Sequence, residues 1–349
     1  RIYDIPMELV PLTDSEKINC KVERNDLLFA RQSLVLEGAG KCSIVMETSS
    51  MTVFESHLIR VRLNLKKAYP PFYYYYFASS LSPITSIVSQ CAQAGIRGSD
   101  LGELYVDLPP VDTQHRIADI LSAYDDLIEN NQKQIKLLEE TAQRLYKEWF
   151  VDLRFPGHVH TKITDGVPEG WKRRKLVDIA QVQYGYAFDG SLFNSQKIGT
   201  PIIRIRNIPQ GQTEDYTPEN VDSQYLVYNG DIIVGMDGEF HINTWAGDTA
   251  YLVQRTCRIK ALTSDLNGFL LWAIYEPIKY FEKTVVGATV AHLGKKHIDT
   301  VEILIPTEKF YLPFKSLFEA RLLLMNQNRA LAEARDRLLP KLMSGEVEV

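Results

Sequence analysis

The 349-residue sequence has no apolar run approaching the roughly 20 residues that a membrane-spanning helix needs, and no basic-then-apolar signal pattern at its start. Its four cysteines lie far apart and form no CxxC pair. They predict reduced thiols in a cytoplasmic protein, not a disulfide framework. The net charge of −5 disfavours a chain that coats nucleic acid over its whole surface. A local basic face stays possible, because phosphate binding depends on where the charges lie.

Motifs that carry catalysis are also missing. The sequence has no GxGxxG after a predicted strand, no HExxH and no GxSxG. The segment GATVAHLGKK (287–296) is not a phosphate loop, because six residues separate its glycines and Lys296 stands where Ser or Thr would bind magnesium. His158 and His160 lie in a stretch of Gly, Pro and small polar residues that predicts a solvated linker. We therefore predict no catalytic residue, metal site or cofactor in this chain.

What the sequence does contain is an internal repeat. Asp26 and Asp231 each precede an apolar run, as a turn leading into a buried strand would. The tyrosines Tyr73–Tyr76 could stack on bases, but their place in the repeat favours a helix packed on the sheet. Five blocks recur in one order at an offset of roughly 200 residues, which predicts a tandem duplication of an α/β domain: RIYDI and RIRNI, VERNDLLFARQS and LVYNGDIIVGMDG, HLIRVRL and RTCRIKAL, PPFYYYYFASSL and NGFLLWAIYEPIKYF, and the proline-ended strands ELYVDLPP and VEILIP.

Each copy runs into a long segment with heptad spacing. Residues 113–150 contain no Gly or Pro and predict one helix, in which Asn131 is the polar residue that fixes the register. A second helix is predicted at about 312–344, and Pro340 should end or kink it near Leu339. We expect an antiparallel coiled coil with a pseudo-twofold axis and a globular domain at each end. The predicted seam is Ile117, Leu121, Tyr124, Ile128, Asn131, Ile135, Leu138 and Leu145 with Leu317, Leu324, Leu331 and Leu338.

Residue types suited to nucleic acid occur in both copies. Arg and Asn can make bidentate contacts to guanine and adenine edges, and Lys suits phosphates. For any one of them, a solvated surface charge is the simpler interpretation. Arg204, Arg206 and Asn207 fall in one short strand or strand end. We place Arg255, Arg258 and Lys260 in a second one, and Lys295, Lys296 and His297 in a loop. The full set of candidate DNA-binding residues is Arg31, Arg60, Arg62, Arg97, Arg204, Arg206, Asn207, Arg255, Arg258, Lys260, Lys295, Lys296 and His297.

The sequence resembles the DNA-specificity subunit of type I restriction–modification enzymes over essentially its whole length. The residues that carry the resemblance are DLLFARQS and DIIVGMDG, the joints LPPVDTQHRIADIL and ILIPTEKFYLPFKSLF, the helix DDLIENNQKQIKLLEETAQRLYKEWF, the segment VPEGWKRRKLVDIA and the ending LLPKLMSGE. The resemblance implies an α+β chain with two target-recognition domains, each reading one half of a split DNA sequence. The paired helices would act as the spacer between the half-sites.

The resemblance also implies the partners. Two methyltransferase subunits would dock on the helices, and restriction subunits would join in the full complex that defends against foreign DNA. S-adenosylmethionine, ATP and magnesium would belong to those partners, so this chain would be a non-catalytic subunit. Base-reading residues vary with the target in this family, so the candidate DNA contacts above rest on side-chain chemistry alone.

The predicted domain limits follow from the repeat. RIRNI lies well inside the second domain whereas RIYDI begins at Arg1, so we expect the first domain to lack an N-terminal block or an upstream segment to be missing. Two other functions stay open: a coiled-coil scaffold whose globular ends bind proteins, and a self-contained modification enzyme. The predicted limits are 1–111 for the first recognition domain, 112–152 for the first helix, 153–170 for a linker, 171–307 for the second domain, and 308–349 for the second helix and tail.

Overall fold

The computed structural model describes residues 1–3, 7–48, 50–90, 93–284 and 291–349. RIYDI and GATVAHLGKK therefore lie partly outside the described residues. The chain forms two compact units, the first comprising Arg1–Ile128 with Leu331–Val349 and the second Glu129–Ala330. In chain order, the first unit contains α1 (Asp14–Asn19), β1 (Leu27–Ala30), β2 (Gln32–Ser33), β3 (Cys42–Ile44), β4 (Leu58–Val61), α2 (Pro70–Ala78), β5 (Ser89–Gln90), β6 (Ala94–Gly95), α3 (Gly98–Gly102) and the start of α4 (Val111–Tyr146).

The first unit is built on a three-stranded antiparallel sheet with β1 in the centre, between β3 and β4. The fully buried Leu27 pairs with Ile44 on one side and with Val61 on the other. Helix α2 begins with two prolines, whose fixed φ suits the first helical turn, and it buries Phe72 and Tyr73 in the same core. The tyrosine run thus forms the predicted helix, and its side chains are buried or half-buried and are not presented to bases.

Helix α4 joins the first unit through one buried amide. The Gln114 side chain is fully buried and accepts a hydrogen bond from Tyr69 N at 2.7 Å. Its Nε2 donates to the carbonyl oxygens of Lys67 at 3.0 Å and Pro109 at 2.8 Å. One side chain therefore fixes the start of α4 to the chain that enters α2, and both the oxygen and the nitrogen of this buried amide have hydrogen-bond partners.

The second unit contains two four-stranded sheets and the rest of both long helices. Its elements are β7 (Ile163–Thr164), β8 (Val167–Pro168), β9 (Lys172–Lys175), α5 (Leu176–Ile179), β10 (Ala180–Tyr184), β11 (Thr200–Ile203), β12 (Tyr216–Thr217), β13 (Leu226–Val227), β14 (Ile232–Gly235), β15 (Ile242–Thr244), β16 (Ala250–Leu252), β17 (Thr256–Ala261), α6 (Asn267–Ala273), α7 (Tyr275–Thr284), α8 (Lys295–Ile298), β18 (Glu302–Ile305) and α9 (Glu308–Ser344).

The two units repeat one strand core. In the second unit β14 lies between β15 and β17, and β10 extends the sheet beyond β17. Ile232 of β14 pairs with Thr244 and with Ile259, as Leu27 does with its two neighbours in the first unit. The other sheet of the second unit has the order β12-β11-β16-β13. The matching registers agree with the duplication predicted from the sequence blocks.

The long helices α4 and α9 pack antiparallel, as predicted, and contacts within each unit define the register. In the first unit Arg335 contacts Asp125, and in the second unit Arg321 contacts Glu139. The Tyr146 and Phe314 rings lie 6.3 Å apart between their centroids. The α+β fold with two domains and two paired helices is therefore confirmed. A π-helical turn, Lys147–Val151, follows α4.

Three local predictions were wrong. Helix α9 begins at Glu308 and continues through Pro340 to Ser344, because the last turn places Leu342 in the core of the first unit. ELYVDLPP forms no strand, whereas VEILIP contains β18, which pairs with β9. The described part of the first unit has no strand corresponding to β9, and an extended segment without a ladder partner is not a strand. Lys295, Lys296 and His297 lie in the short helix α8 and not in a loop.

Candidate nucleic-acid interface

A buried aspartate organises the turn before the central strand in both units. Asp26 and Asp231 accept a hydrogen bond from the backbone N–H three residues earlier, at 2.8 Å and 2.9 Å. The residue before each aspartate has positive φ, 73° for Asn25 and 92° for Gly230. Asn and Gly are the residues that tolerate this left-handed conformation best. The two copies therefore keep one turn although their sequences differ.

In the first unit Arg62 is committed to this turn. Its Nε and Nη2 donate to the two carboxylate oxygens of Asp26 at 2.7 Å and 2.8 Å, and its Nη1 lies 3.1 Å from Glu23. The hydrogen bond to Asp26 raises the pKa of Arg62. Arg60 donates to the carbonyl oxygen of Lys21 and lies over the Phe54 ring at 5.4 Å. Both candidate arginines hold the fold in this structure.

The equivalent pair in the second unit differs. Arg258 is 6% exposed and donates to the Leu226 carbonyl oxygen, so the structure does not present it to a ligand. The alternating strand pattern could not show that both faces of β17 are covered at this position, where Cys257, Arg258 and Ile259 are all buried. Lys260 is exposed, and its Nζ lies 3.8 Å from Asp231. Burial raises the pKa of Asp231, against the opposing effects of the Tyr228 N–H and the two cations.

The RIRNI block ends strand β11 in a turn that three polar side chains stabilise. Asn207 Oδ1 accepts from Arg204 N at 2.8 Å, and Asn207 Nδ2 donates to Asp215 Oδ2 at 3.1 Å. Arg206 also donates to both oxygens of Asp215. Burial raises the pKa of Asp215, but the hydrogen bonds from Arg206 and Asn207 outweigh it, so the pKa is lowered. The Arg204 guanidinium lies over the Phe193 ring at 5.4 Å.

Arg255 lies in a left-handed turn, with φ of 65°, directly before β17. Its Nη1 is 2.5 Å from Asp237 Oδ2, and Asp237 Oδ1 lies 2.5 Å from His292 Nδ1. The Arg255 and His292 side chains are more than half exposed. This small ion-paired group thus lies at the surface of the second unit.

Helix α8 carries the least constrained cations of the predicted set. Lys295 and Lys296 are exposed, and neither forms an ion pair with any described residue. His297 instead caps the helix, because its Nδ1 accepts from Gly294 N at 3.0 Å. Burial, together with Lys296 and His292, lowers the pKa of His297. The neutral form that accepts this hydrogen bond is therefore favoured, and His297 serves the local fold.

The corresponding turn of the first unit, before α3, presents Arg97. Its side chain is exposed and makes no hydrogen bond or ion pair within the described part of the chain. Arg31 is also exposed, and only a 3.4 Å hydrogen bond to Ser56 O holds it. Leu101 of α3 and Ile298 of α8 are both buried, so the two short helices anchor in the same way. Their exposed cations differ, with one arginine in the first unit and two lysines in the second.

The candidates thus separate into two groups. The structure uses Arg60, Arg62, Arg206, Asn207, Arg258 and His297 in local contacts. The side chains that keep hydrogen-bonding capacity at the surface are Arg31, Arg97, Arg204, Arg255, Lys260, Lys295 and Lys296.

The prediction missed a basic strand. All four residues of β9, Lys172–Lys175, are exposed, and none forms an ion pair within the ranges that the structure describes. Strand β9 pairs with β18 in a two-stranded sheet, with Arg174 opposite Ile303. Four consecutive basic residues in the sequence were a direct signal of this surface.

A second feature could not be found from the sequence. Arg321 of α9 donates to Asn243 Oδ1 at 2.6 Å and to Glu139 Oε1 at 2.7 Å. Asn243 Nδ2 donates to the carbonyl oxygens of Ile208 and Pro209, each at 2.9 Å. The helix pair is therefore connected by hydrogen bonds to the loop that follows RIRNI, within the second unit. No local pattern predicts contacts between residues this far apart in the chain.

The predicted seam residues are buried or half-buried, and none is exposed. Leu121 is fully buried and Asn131 is 6% exposed.

Among the described residues, no group of three or more His, Cys, Asp or Glu side chains could hold a metal ion. Within the same residues, no helix is long and apolar enough to cross a membrane.

The chain thus contains two copies of one strand core, each with its own exposed cations and each followed by a long helix. The family model described as Type I restriction modification DNA specificity domain matches residues 12–140 and 168–309. The chain therefore belongs to the family of type I restriction–modification DNA specificity (S) subunits, which confirms the resemblance seen in the sequence.

Relatives of this family show how far the similarity extends. The chain is 28% identical over 272 residues to the type I restriction enzyme MjaIX specificity subunit of Methanocaldococcus jannaschii, covering 73% of this chain and 63% of that protein. It is 32% identical over 141 residues to the EcoBI specificity subunit of Escherichia coli, covering 40% of this chain and 30% of that protein. The chain thus spans less than two thirds of the length of either relative.

A solved structure shares the fold. The type I restriction–modification S subunit from M. genitalium superimposes with a TM-score of 0.54 at 16% identity, covering 93% of this chain and 84% of that chain. At this identity the likeness concerns the fold alone.

Proposed function

We propose that this chain reads a two-part DNA sequence, one part with each recognition unit, for a type I restriction–modification complex. The observation that carries the proposal is the duplication itself. The turn at Asp26 and Asp231 and the central strand are kept in both units, while the exposed cations next to α3 and α8 differ. A common scaffold with different surface side chains suits two sites that read different bases.

The DNA-facing residues that we propose are cations that keep hydrogen-bonding capacity at the surface, including Arg255, which is ion-paired with Asp237, and Arg204, which is half-buried over the Phe193 ring. Arg97, Arg204 and Arg255 suit base edges or phosphates, and Lys295 and Lys296 suit phosphates. Strand β9 adds a basic stretch that fits a phosphate backbone. Arg258 is not one of these residues, because it is buried and its guanidinium donates a hydrogen bond to the Leu226 carbonyl oxygen inside the domain.

A binding assay tests this surface. Fluorescence anisotropy with a labelled duplex carrying the recognised sequence should show weaker binding by a Lys295→Ala, Lys296→Ala double variant. The log of affinity falls with log salt by about 0.9 per phosphate contact, so the slope should decrease by up to about 2. Lys162→Ala, which removes an exposed lysine of the predicted linker, is the matched control. Equal salt slopes for all three proteins would remove α8 from the interface.

We further propose that the helix pair docks two methyltransferase subunits, and that restriction subunits join them in the full complex. Exposed apolar side chains on the long helices support a protein-binding surface: Leu127 and Leu137 of α4 and Leu323 of α9 are each more than half exposed. Methyl transfer with S-adenosylmethionine and ATP-driven cleavage with magnesium would then belong to the partners. The chain itself would be non-catalytic and would act in the cytoplasm, with the functional domain limits given in the sequence analysis.

The same exposed apolar side chains are compatible with a scaffold that binds only proteins. A Leu127→Glu, Leu137→Glu variant tests the docking of methyltransferase subunits separately from DNA reading. It should lose methyltransferase co-purification while an unchanged melting temperature shows that the fold is intact. If the wild-type complex shows no sequence preference among duplexes and no salt dependence, the scaffold function is supported and DNA reading is wrong.

A further inference from the structure

Two ion pairs between the long helices follow one charge pattern. On α4, Asp125 and Glu139 lie two heptads apart. On α9, Arg321 and Arg335 have the same separation. In the first unit, Arg335 Nη1 lies 2.5 Å from Asp125 Oδ1, and in the second unit Arg321 Nε lies 2.7 Å from Glu139 Oε1. Both acids are thus on α4 and both arginines are on α9.

Each ion pair contains a largely buried charge, so a mismatched partner would lower the stability of the helix pair. The Asp125 and Arg321 side chains are 8% and 9% exposed. Both charges are therefore largely removed from water and need an opposite charge nearby. Arg335 is closer to the Asp125 carboxylate than Arg1, whose Nη1 lies 3.8 Å from Oδ2. Both acids directly follow predicted seam residues, Tyr124 and Leu138, and positions flanking the seam set partner choice in coiled coils. Between the two ion pairs along α4, Asn131 Nδ2 lies 3.5 Å from Gln327 Oε1.

Pairing of either helix with the same helix of a second copy would bring like charges together. Two α4 helices from two copies, antiparallel and aligned on their midpoints, would place Asp125 of each copy against Glu139 of the other. Two α9 helices would place Arg321 against Arg335. Like charges at such positions repel, whereas only α4 with α9 brings opposite charges together at both sites.

We propose that these four side chains form a charge code that selects α4–α9 pairing and rejects pairing of either helix with the same helix of a second copy. The surface of α4 then fits one kind of partner, a helix with the α9 sequence. Within one molecule that partner is intramolecular. A second copy of the protein is accepted only by reciprocal exchange, in which α4 of each copy pairs with α9 of the other. This inference is independent of DNA reading.

Charge reversal in the full-length protein tests the code. The arginine-reversed variant carries Arg321→Glu and Arg335→Glu, the acid-reversed variant carries Asp125→Arg and Glu139→Arg, and the fourfold variant carries all four changes. Two reversed buried pairs should lower the melting temperature of each double variant by about 10 °C or more. The fourfold variant should recover at least half of that loss. A fourfold variant no more stable than the two double variants would overturn the proposal.

Mixing tests partner choice directly. The tagged arginine-reversed variant should capture the untagged acid-reversed variant after co-expression, because exchange restores opposite charges in both helix pairs. It should not capture an untagged copy of itself, and tagged wild-type protein should not capture the untagged wild type. Self-capture of the arginine-reversed variant as efficient as its capture of the acid-reversed variant would contradict the code. The control variant Asp119→Arg, Arg337→Glu reverses exposed charges on the same helices, and it should leave the melting temperature and capture unchanged.

If either double variant does not accumulate as folded protein, the Arg321–Glu139 pair is tested by itself. Glu139 is 33% exposed and tolerates replacement better than Asp125, which also accepts a hydrogen bond from the Tyr75 hydroxyl. Arg321→Glu alone should be destabilised, and adding Glu139→Arg should restore part of the melting temperature. Simple additivity of the two losses would show no coupling and would end the proposal.

Discussion

Replacing Arg62 with methionine should destabilise the central strand of the first unit, because it leaves the Asp26 carboxylate buried with one donor. Asp26 is 1% exposed, and it loses hydrogen bonds of 2.7 Å and 2.8 Å while keeping one from Glu23 N. Removing one partner of a buried ion pair costs about 3 to 5 kcal/mol. The Arg62 side chain is 46% exposed, so solvent screening reduces the expected cost to about 2 kcal/mol.

The duplication supplies a matched control. Lys260 occupies the corresponding position in the second unit, but it lies 3.8 Å from Asp231 with no hydrogen bond and is 48% exposed. Lys260→Met should therefore cost only about 0.5 kcal/mol. Hydrogen exchange with mass spectrometry measures the opening free energy of β1 in one variant and of β14 in the other. Equal losses in the two variants, or no loss for Arg62→Met, would refute the assignment of Arg62 to the fold.

Three further predictions follow from other parts of the molecule. Because folding lowers the pKa of Asp215, the ionised carboxylate stabilises the protein at pH values above its ordinary pKa of 3.8, and this stability is lost as the pH falls through the lowered pKa of the folded state. Asp215→Asn should therefore reduce the pH dependence of the free energy of unfolding, measured with urea between about pH 6 and pH 2. The change should be about 1 kcal/mol at most, because Arg206 is exposed. Leu121→Ala removes a fully buried side chain and should cost about 3 kcal/mol in thermal unfolding, whereas a loss below about 1 kcal/mol would show that α4 does not pack there. Replacing two seam leucines with charged residues, Leu138→Glu with Leu331→Glu, should disrupt the helix pair and release the methyltransferase subunits, which size-exclusion chromatography detects. An intact complex would show that the predicted seam is misplaced.

The features predicted from the sequence are those that repeat or alternate. The heptads of α4, the helix at Tyr73–Tyr76 and the strands after Asp26 and Asp231 depend on local hydrophobic patterns, and the structure has them. ELYVDLPP was expected to be a strand because VEILIP resembles it. A strand also needs a neighbour, and that requirement is not local.

The side-chain roles were harder to predict. Arg258 and Lys260 lie on the same face of one strand, and the sequence pattern could not show that Arg258 is buried whereas Lys260 is exposed. Gln114 and Arg321 act through partners that are distant in sequence. Composition indicated which residue types could bind DNA, but tertiary contacts decide which of them are committed to the fold.

The proposed role of this protein is to supply the sequence specificity of a modification complex through two recognition units. Mapping methylated adenines in a host that expresses the protein with its methyltransferase subunits tests that role most directly. We predict one methylated motif of two defined parts separated by a spacer of constant length, and loss of that motif when the protein is removed. Methylation that persists without the protein, or a single undivided motif, would contradict it.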